Sequence, residues 1–264
     1  MKLFAVIGNP ITHSISPILH NKAMLDLGLE CSYSRFELSN GSDIISKFKA
    51  LSLSGANVTV PYKEFALNLS DKVCDTTKAI GSANTLVLKN QKIYAYNTDA
   101  DGFLKSIKDF KGIKKALVIG AGGTAKAISY ILNKKNDIEV CILNRSKHRF
   151  SDFINFRCYD WTDFKSEQFD IVINTTSAGL KDDSLCAPIE LLEQVLCDSK
   201  FAFDVIYGKK TPFLKLADKY NLTYKDGKDM LLFQAVLAFN LFFDNAFDEE
   251  KIEKSMREVL NLKL

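Results

Sequence analysis

A chain of 264 residues, 47% hydrophobic and 25% charged, has the material for about two domains with sizeable cores. Its 35 basic and 32 acidic side chains leave a net charge of +3, too small and too dispersed for a nucleic-acid binder but compatible with anionic small molecules. The six cysteines form no CxxC pair and read as reduced thiols of a cytoplasmic protein, and His13, His20 and His148 lack metal-ligand spacing, so no metal is expected.

In chain order, residues 3–7 read as a strand, too short an apolar run for a signal peptide, closed by Gly8, Asn9 and Pro10. Ile18, Leu19, Ala23, Met24 and Leu27 then recur at helical spacing, with Ser16 suited to the N-cap and Pro17 to the first helical position. A helix start flanked by the hydroxyls of Ser14 and Ser16 is a natural carboxylate site. Plain capping explains Ser16 and Pro17 as well, but not Ser14 or the turn before it. Residues 31–38 read as a second strand, 43–51 as a helix and 55–60 as a third strand, stopped by Pro61.

Asn57, Thr59 and Lys63 are expected at the C-terminal end of that third strand, where the ligands of a parallel sheet gather. Taken alone, Lys63 reads as a surface lysine; its meaning depends on a partner. The candidate partner is Asp99, which follows a hairpin of strands at 85–89 and 92–96. Asn84 and Asp99 have the short polar side chains that suit sugar-like hydroxyls. A lysine and an aspartate facing one hydroxyl can act as an acid/base pair.

The most informative stretch begins at residue 116. A buried strand ends at Gly120, Gly122 and Gly123 form a tight turn, and from Thr124 onward Ala125, Ile128, Ser129, Ile131 and Leu132 have helical spacing. Strand, glycine turn and helix are the context of a dinucleotide fingerprint. Gly120 permits the turn, Ala121 lies within it, Gly122 admits a pyrophosphate, and Ala125 stands for the last glycine. A purely structural strand-to-helix turn has the same pattern. The next strand, 139–143, ends at Asn144, Arg145 and Ser146, with Arg149 following. An NAD site usually carries an acid near this strand end; here donors and positive charge suit a 2′-phosphate, so NADP is preferred. A solvated basic loop is the alternative.

Further strands at 169–174, 201–206 and 222–224 alternate with helices at 188–196 and 211–220. From 115 to 225 this alternation argues for a doubly wound parallel sheet. Residues 230–243 are apolar nearly all round, as in a buried helix, and too few to span a membrane. Gln234 inside that run needs hydrogen-bond partners, from the protein or from a substrate. Residues 249–260 form a last amphipathic helix. The expected fold is α/β with two domains: a discontinuous N-terminal α/β substrate domain, 1–100 plus 229–264, and a Rossmann-like NADP-binding domain, 101–228, with a cleft between them.

Nine segments, in order and from end to end of the chain, resemble one family, shikimate dehydrogenase: GNPITHSISP (8–17), NVTVPYK (57–63), GSANT (81–85), NTDADG (97–102), GAGGTA (120–125), NRS (144–146), NTTSAG (174–179), DVIY (204–207) with Thr211-Pro212, and GKDMLLFQA (227–235). The resemblance implies reversible reduction of 3-dehydroshikimate to shikimate with NADPH, in aromatic amino-acid biosynthesis. It implies that Ser14 and Ser16 hold the substrate carboxylate, that Thr59, Asn84 and Gln234 bond substrate groups, and that Tyr207 approaches the substrate. Lys63 would be the catalytic acid/base, with Asp99 hydrogen-bonded beside it. Gly120, Ala121, Gly122, Gly123 and Thr124 would cradle the pyrophosphate, and Asn144, Arg145, Ser146 and Arg149 would surround the ribose phosphate. Asp75 would contact the cofactor, and Val205 and Gly227 would flank the nicotinamide.

Small departures stand at Thr124, where alanine is commoner, at Ser82-Ala83, where Ala-Val is usual, and at Lys228-Asp229. None removes a catalytic group. The implied partner is a small molecule, with neither nucleic acid nor membrane, and a homodimer is left open. A quinate/shikimate dehydrogenase that uses NAD would favour an acid within 144–149, which holds none. A non-catalytic NADP-binding regulator would favour loss of Lys63 or Asp99, and both are present.

Overall fold

The computed structural model describes residues 1–136, 138–165 and 167–262. It divides into two compact units, one made of Met1–Gly102 with the stretch from Leu231 onward, the other of Phe103–Met230.

In the first unit, strand β1 (Lys2–Gly8) is followed by helix α1 (Ser16–Asp26), β2 (Cys31–Glu37), α2 (Ile44–Ala50) and β3 (Leu53–Val58). β1 lies between β2 and β3 and pairs in parallel with both. Its last five residues are all buried, which is why it reads as an unbroken apolar run rather than an alternating one. Short elements follow: α3 (Lys63–Leu69), β4 (Lys72–Val73) and α4 (Asp75–Ile80). Then come β5 (Thr85–Lys89), β6 (Lys92–Tyr96) and α5 (Asp99–Ser106). The sheet order is β2-β1-β3-β5-β6-β4. β5 runs antiparallel to β3, so this sheet is mixed rather than parallel throughout. The cause is local. Asn90 and Gln91, both with positive φ, make the two-residue turn that joins β5 to β6, and such a turn can only join antiparallel strands.

The second unit is a repeating strand–crossover series. It comprises β7 (Lys115–Ile119), α6 (Gly123–Asn136), β8 (Glu139–Leu143), β9 (Arg157–Tyr159) and β10 (Ile171–Asn174). It continues with α7 (Ile189–Leu196), β11 (Phe201–Asp204), α8 (Pro212–Lys219) and β12 (Thr223–Lys225). Every pairing is parallel and the order is β12-β11-β10-β7-β8-β9. Read from β9, that is the doubly wound order 3-2-1-4-5-6, whose direction switches between β7 and β10. β9 has three residues and no apolar pattern, which is why the sequence does not announce it.

The chain closes with α9 (Lys228–Phe242) and α10 (Glu249–Leu260). They complete the core of the first unit. Phe4 and Val6 of β1 pack in one cluster with Leu19 and Met24 of α1, Leu232 and Phe239 of α9, and Met256 of α10. Ala5 and Ile7, on the other face of β1, join Ile44 and Phe48 of α2 and Ala66 of α3. The alternation along β1 therefore sorts its side chains between two cores.

His20 lies in the first of these clusters, stacked on Tyr33 with ring centroids 4.3 Å apart and planes 2° apart. It is fully buried, and neither ring nitrogen has a hydrogen-bond partner among the described residues. Burial pushes its pKa down to about 3, so it is neutral in the fold. Below the unfolded value of about 6.5 the unfolded chain takes up a proton that the folded chain refuses. Stability is therefore complete above that value and drains away as pH falls toward 3, by about 2 kcal/mol at pH 5. His20→Phe keeps the stack and removes the titration. Urea unfolding at pH 7 and pH 5 should show wild type losing more stability than the variant, and an equal loss in both would refute a neutral His20.

Candidate functional site

Lys63 is positioned by a turn. After β3 the chain passes through the cis peptide Val60-Pro61, and the Tyr62 N–H donates to Thr59 O at 2.9 Å. Tyr62 is buried and its hydroxyl donates to Leu38 O, so Lys63 starts α3 from a fixed point. Asp99 starts α5 in the same manner. Asn97 just before it donates from Nδ2 to Ser82 O at 2.8 Å and accepts the Ala100 N–H at 3.2 Å.

These two starts bring Lys63 Nζ to 2.5 Å from Asp99 Oδ2, with both side chains only about a tenth exposed. The other oxygen, Oδ1, takes a hydrogen bond from Asn84 Nδ2 at 2.9 Å. Asn84 is itself fixed, since its Oδ1 accepts the Thr98 N–H at 2.7 Å and its Nδ2 also reaches Thr98 Oγ1. Gln234 approaches from α9 with its Oε1 3.5 Å from Asn84 Nδ2, and its Nε2 donates to Leu231 O at 2.8 Å. That approach depends on Gly102, where an added methyl would lie 2.8 Å from the Gln234 backbone nitrogen. Lys63, Asn84, Asp99 and Gln234 thus form one buried polar cluster. An ammonium, a carboxylate and two amides held there can bind hydroxyls and move a proton.

Other expected residues take different places. Ser16 is not the N-cap. It is the first residue of α1, Ile15 stands in the cap position, and no side chain caps that end. The Ser16 N–H donates instead to Ser14 Oγ at 3.4 Å, and the two buried hydroxyls lie 3.2 Å apart. Arg35 Nε anchors the turn through Ser14 O at 2.7 Å. Asn57 does not line the strand end but supports it from behind. Its Oδ1 accepts from the Tyr33 hydroxyl at 2.7 Å, and its Nδ2 donates to Thr85 Oγ1 at 3.1 Å. Thr59 stays half-buried just beyond β3, and Asp75 is exposed in the first turn of α4. Tyr33 escapes the sequence reading, and Thr85 and Thr98 enter it only as members of matched segments, because each occupies an ordinary strand or turn position.

In the second unit Gly120 has φ +112°, and a methyl on it would meet Thr175 Oγ1 at 2.5 Å, so glycine is needed there twice over. Gly122 differs. A methyl on it would meet no protein atom within 4 Å, so its smallness serves something outside the protein's own packing. α6 begins at Gly123, one residue earlier than its apolar spacing suggests, so the positive end of its helix dipole lies next to Gly122 in the chain. Ala121 and Ala125 are buried, while Thr124 is half-buried.

Beyond β8, Asn144 Nδ2 donates to Ser146 O at 2.9 Å, and Ser146 Oγ lies 2.8 Å from His148 Nδ1. Arg145 is exposed, and among the described residues its guanidinium has no ion pair. Arg149 is engaged by Asp152 at 3.3 Å, which Lys126 also holds at 2.9 Å. Burial pushes the Asp152 carboxyl up, but Lys126 and Arg149 outweigh it and keep it below the usual range. The open glycine cradle, the helix start and the unpaired Arg145 together fit a dinucleotide with a 2′-phosphate. At the ends of β10 and β11 the Val205 N–H donates to Asn174 O and the Gly227 N–H to Ile206 O, both at 3.0 Å. A methyl on Gly227 would overlap the Val205 carbonyl. Tyr207 is half-buried nearby in sequence.

Known proteins of similar sequence and structure belong to one family. Residues 6–86 match the model of the shikimate dehydrogenase substrate binding domain. The chain is 46% identical to shikimate dehydrogenase (NADP(+)) of Helicobacter hepaticus, covering 97% of this chain and 98% of the relative. It is 35% identical to that of Caldanaerobacter subterraneus, over 97% and 98%. Among solved structures, shikimate 5-dehydrogenase of Thermus thermophilus in complex with NADP(H) and shikimate superposes with a TM-score of 0.83 at 31% identity, covering 98% of this chain and 99% of that one.

Removing one member of a buried ion pair leaves the other uncompensated. Lys63→Met should therefore destabilise the first unit by about 3 kcal/mol, and adding Asp99→Asn should restore most of it. A double-mutant cycle by urea unfolding measures this, and strictly additive losses would mean that the pair is not coupled.

Proposed function

Since the chain belongs to the shikimate dehydrogenase family, we propose that it catalyses the reversible, NADPH-dependent reduction of 3-dehydroshikimate to shikimate. In this reading residues 1–100 and 229–264 hold the substrate and 101–228 hold the cofactor. The observation that carries it is the buried contact between Lys63 Nζ and Asp99 Oδ2, with Asn84 on the second carboxylate oxygen.

The bound cofactor supplies a hydride exchanged between the nicotinamide C4 and the substrate C3. Lys63 gives a proton to the oxygen that becomes the hydroxyl and takes it back in the reverse direction. Asp99, held from both sides, orients Lys63 and that hydroxyl. Asn84 serves Asp99 first and the substrate second, because its amide already bonds the carboxylate. Ser14 and Ser16 offer two adjacent hydroxyls to the substrate carboxylate, Thr59, Gln234 and Tyr207 contact the remaining substrate groups, and burial of the Lys63 cluster keeps water from competing. Gly120, Ala121, Gly122, Gly123 and Thr124 receive the pyrophosphate, and Arg145 takes the 2′-phosphate with Asn144, Ser146 and Arg149 around it. Asp75, Val205 and Gly227 complete the cofactor contacts. The six cysteines are unpaired, which fits a cytoplasmic enzyme, and gel filtration tells a homodimer from a monomer.

Absorbance at 340 nm with shikimate should rise with NADP⁺ and little with NAD⁺. A comparable rate with NAD⁺ or with quinate would move the chain to the quinate/shikimate dehydrogenases, and cofactor binding without turnover would make it a regulator. Lys63→Ala should lower kcat by about 10²–10⁴-fold with NADPH affinity intact. An unchanged kcat would remove Lys63 from the chemistry. Arg145→Ala should weaken NADPH far more than NADH, and equal losses would refute its place at the 2′-phosphate.

A further inference from the structure

Asp204, the last residue of β11, is fully buried, and the reaction as described makes no use of it. Three donors from three segments converge on its carboxylate. Asn174 Nδ2, at the end of β10, donates to Oδ1 at 3.1 Å, and the Ile206 N–H donates to the same oxygen at 3.0 Å. Thr211 Oγ1 donates to Oδ2 at 2.6 Å. Thr211 is also the N-cap of α8, accepting the Leu214 N–H at 3.3 Å. The Asn174 Oδ1 in turn accepts from the N–H and the hydroxyl of Thr176, at 3.0 and 2.8 Å.

One carboxylate therefore ties the C-terminal ends of two parallel strands to the start of a helix, on the edge where a doubly wound sheet takes its ligand. Among the described residues it has no ion-pair partner. Burial raises its pKa to about 6, the three hydrogen bonds oppose that rise, and Asp226 beyond β12 adds to it. Cys186, ahead of α7, is the other titratable group facing it, and its thiol is pushed up by burial and by Asp204 itself. At neutral pH the fold keeps a buried charge where asparagine would occupy the same space without one.

We infer that Asp204 is a positioning residue for the nicotinamide end of the cofactor: its ionised carboxylate holds the turn at residues 205–207 in the shape that the cofactor meets, and protonation releases it. This rests on the reading that Val205 flanks the nicotinamide. The hydroxyl of Thr211 has one proton and gives it to Oδ2. A proton arriving on Oδ2 must point at Thr211 Oγ1, which strands the hydroxyl's own proton. A proton on Oδ1 opposes the donors of Asn174 and Ile206. In the first case the Thr211 bond reverses and Oδ1 holds Asn174 and Ile206 only as a neutral acceptor, more weakly than a carboxylate does; in the second it opposes them, so either way the grip on Ile206, which belongs to the turn itself, loosens.

The test uses wild type, Asp204→Asn and Thr211→Val as full chains, with NADPH binding followed by fluorescence without substrate from pH 5 to 7.5. Asp204→Asn should bind roughly tenfold more weakly than wild type at pH 7.5, the size of one lost hydrogen bond, and nearly equally at pH 5. The 2′-phosphate titrates in the same range but cancels in the ratio of the two proteins. Thr211→Val removes a donor to the charged form, so its inflection should move to higher pH than that of wild type. Without cofactor, the melting temperature of wild type should fall relative to Asp204→Asn as pH rises through about 6, because a carboxyl with a raised folded pKa loses its stabilisation in that direction. A ratio that stays constant with pH overturns the inference. Should Asp204→Asn not fold, coincident inflections in wild type and Thr211→Val overturn it. Absence of NADPH binding by wild type overturns the cofactor reading and this inference together, whereas normal binding with superimposable curves overturns the inference alone.

Discussion

A carboxylate gripped on one oxygen by an ammonium and on the other by an amide cannot turn, and much of the first unit serves to keep Asp99 in that grip. Lys63 comes from the start of α3, Asn84 from the approach to β5, and Asp99 from the start of α5. Each is the first or nearly the first residue of its element, so its backbone is set by a turn and its side chain by a short reach. Behind them Tyr33, Asn57, Thr85 and Thr98 form a further layer of hydrogen bonds with no apolar gap. A polar network of this kind is worth having only when nearly every member is satisfied. Asn84 shows the rule at work, with its amide divided among Asp99, Thr98 and Gln234.

The second unit solves a different problem. It needs an opening for a large anion beside a dry parallel sheet. Gly120 closes the turn against Thr175, Ala125 lets α6 pack on the strands, and Gly122 faces open space. Three small residues within six positions thus do three separate jobs. Only the last leaves space that a ligand could fill. The charge arrangement follows suit: Lys126 and Arg149 share the Asp152 carboxylate, which leaves Arg145 as the cation of that loop without an ion pair among the described residues.

Long or strongly patterned elements were legible from residues alone. The strand at 139–143, the hairpin at 85–89 and 92–96, and the helix at 249–260 have the bounds their periodicity indicates. α3, α4 and α5 were not: they hold barely two turns of helical period and open on charged residues, Lys63, Asp75 and Asp99, whereas the equally short α2, α7 and α8, which were read, open on Ile44, Ile189 and Pro212. The same limit applies to the two residues of β4. At the site, the residues alone name Lys63 and Asp99 separately, and only the resemblance implies their meeting, since nothing local links two residues 36 positions apart. Ser16 misled through its own good chemistry: serine before proline suits an N-cap, yet the turn built on Ser14 shifts the helix start by one residue. Asn57 misled through its position, as a polar residue near a strand end faces inward here, toward Tyr33 and Thr85.

The two faces of β1 draw on distant parts of the chain, and this sets an order of events during synthesis. Ala5 and Ile7 find their partners within the first hundred residues, but Phe4 and Val6 find only part of theirs there, in Leu19 and Met24, and must wait for Leu232, Phe239 and Met256 to complete the cluster. The entire second unit leaves the ribosome in between, which takes on the order of ten seconds at ordinary elongation rates. The later-made unit has all its strands in one uninterrupted stretch and can fold first. The earlier-made one carries a half-covered sheet until α9 and α10 emerge, so its exposed apolar face is the part of the nascent chain with most to gain from a chaperone.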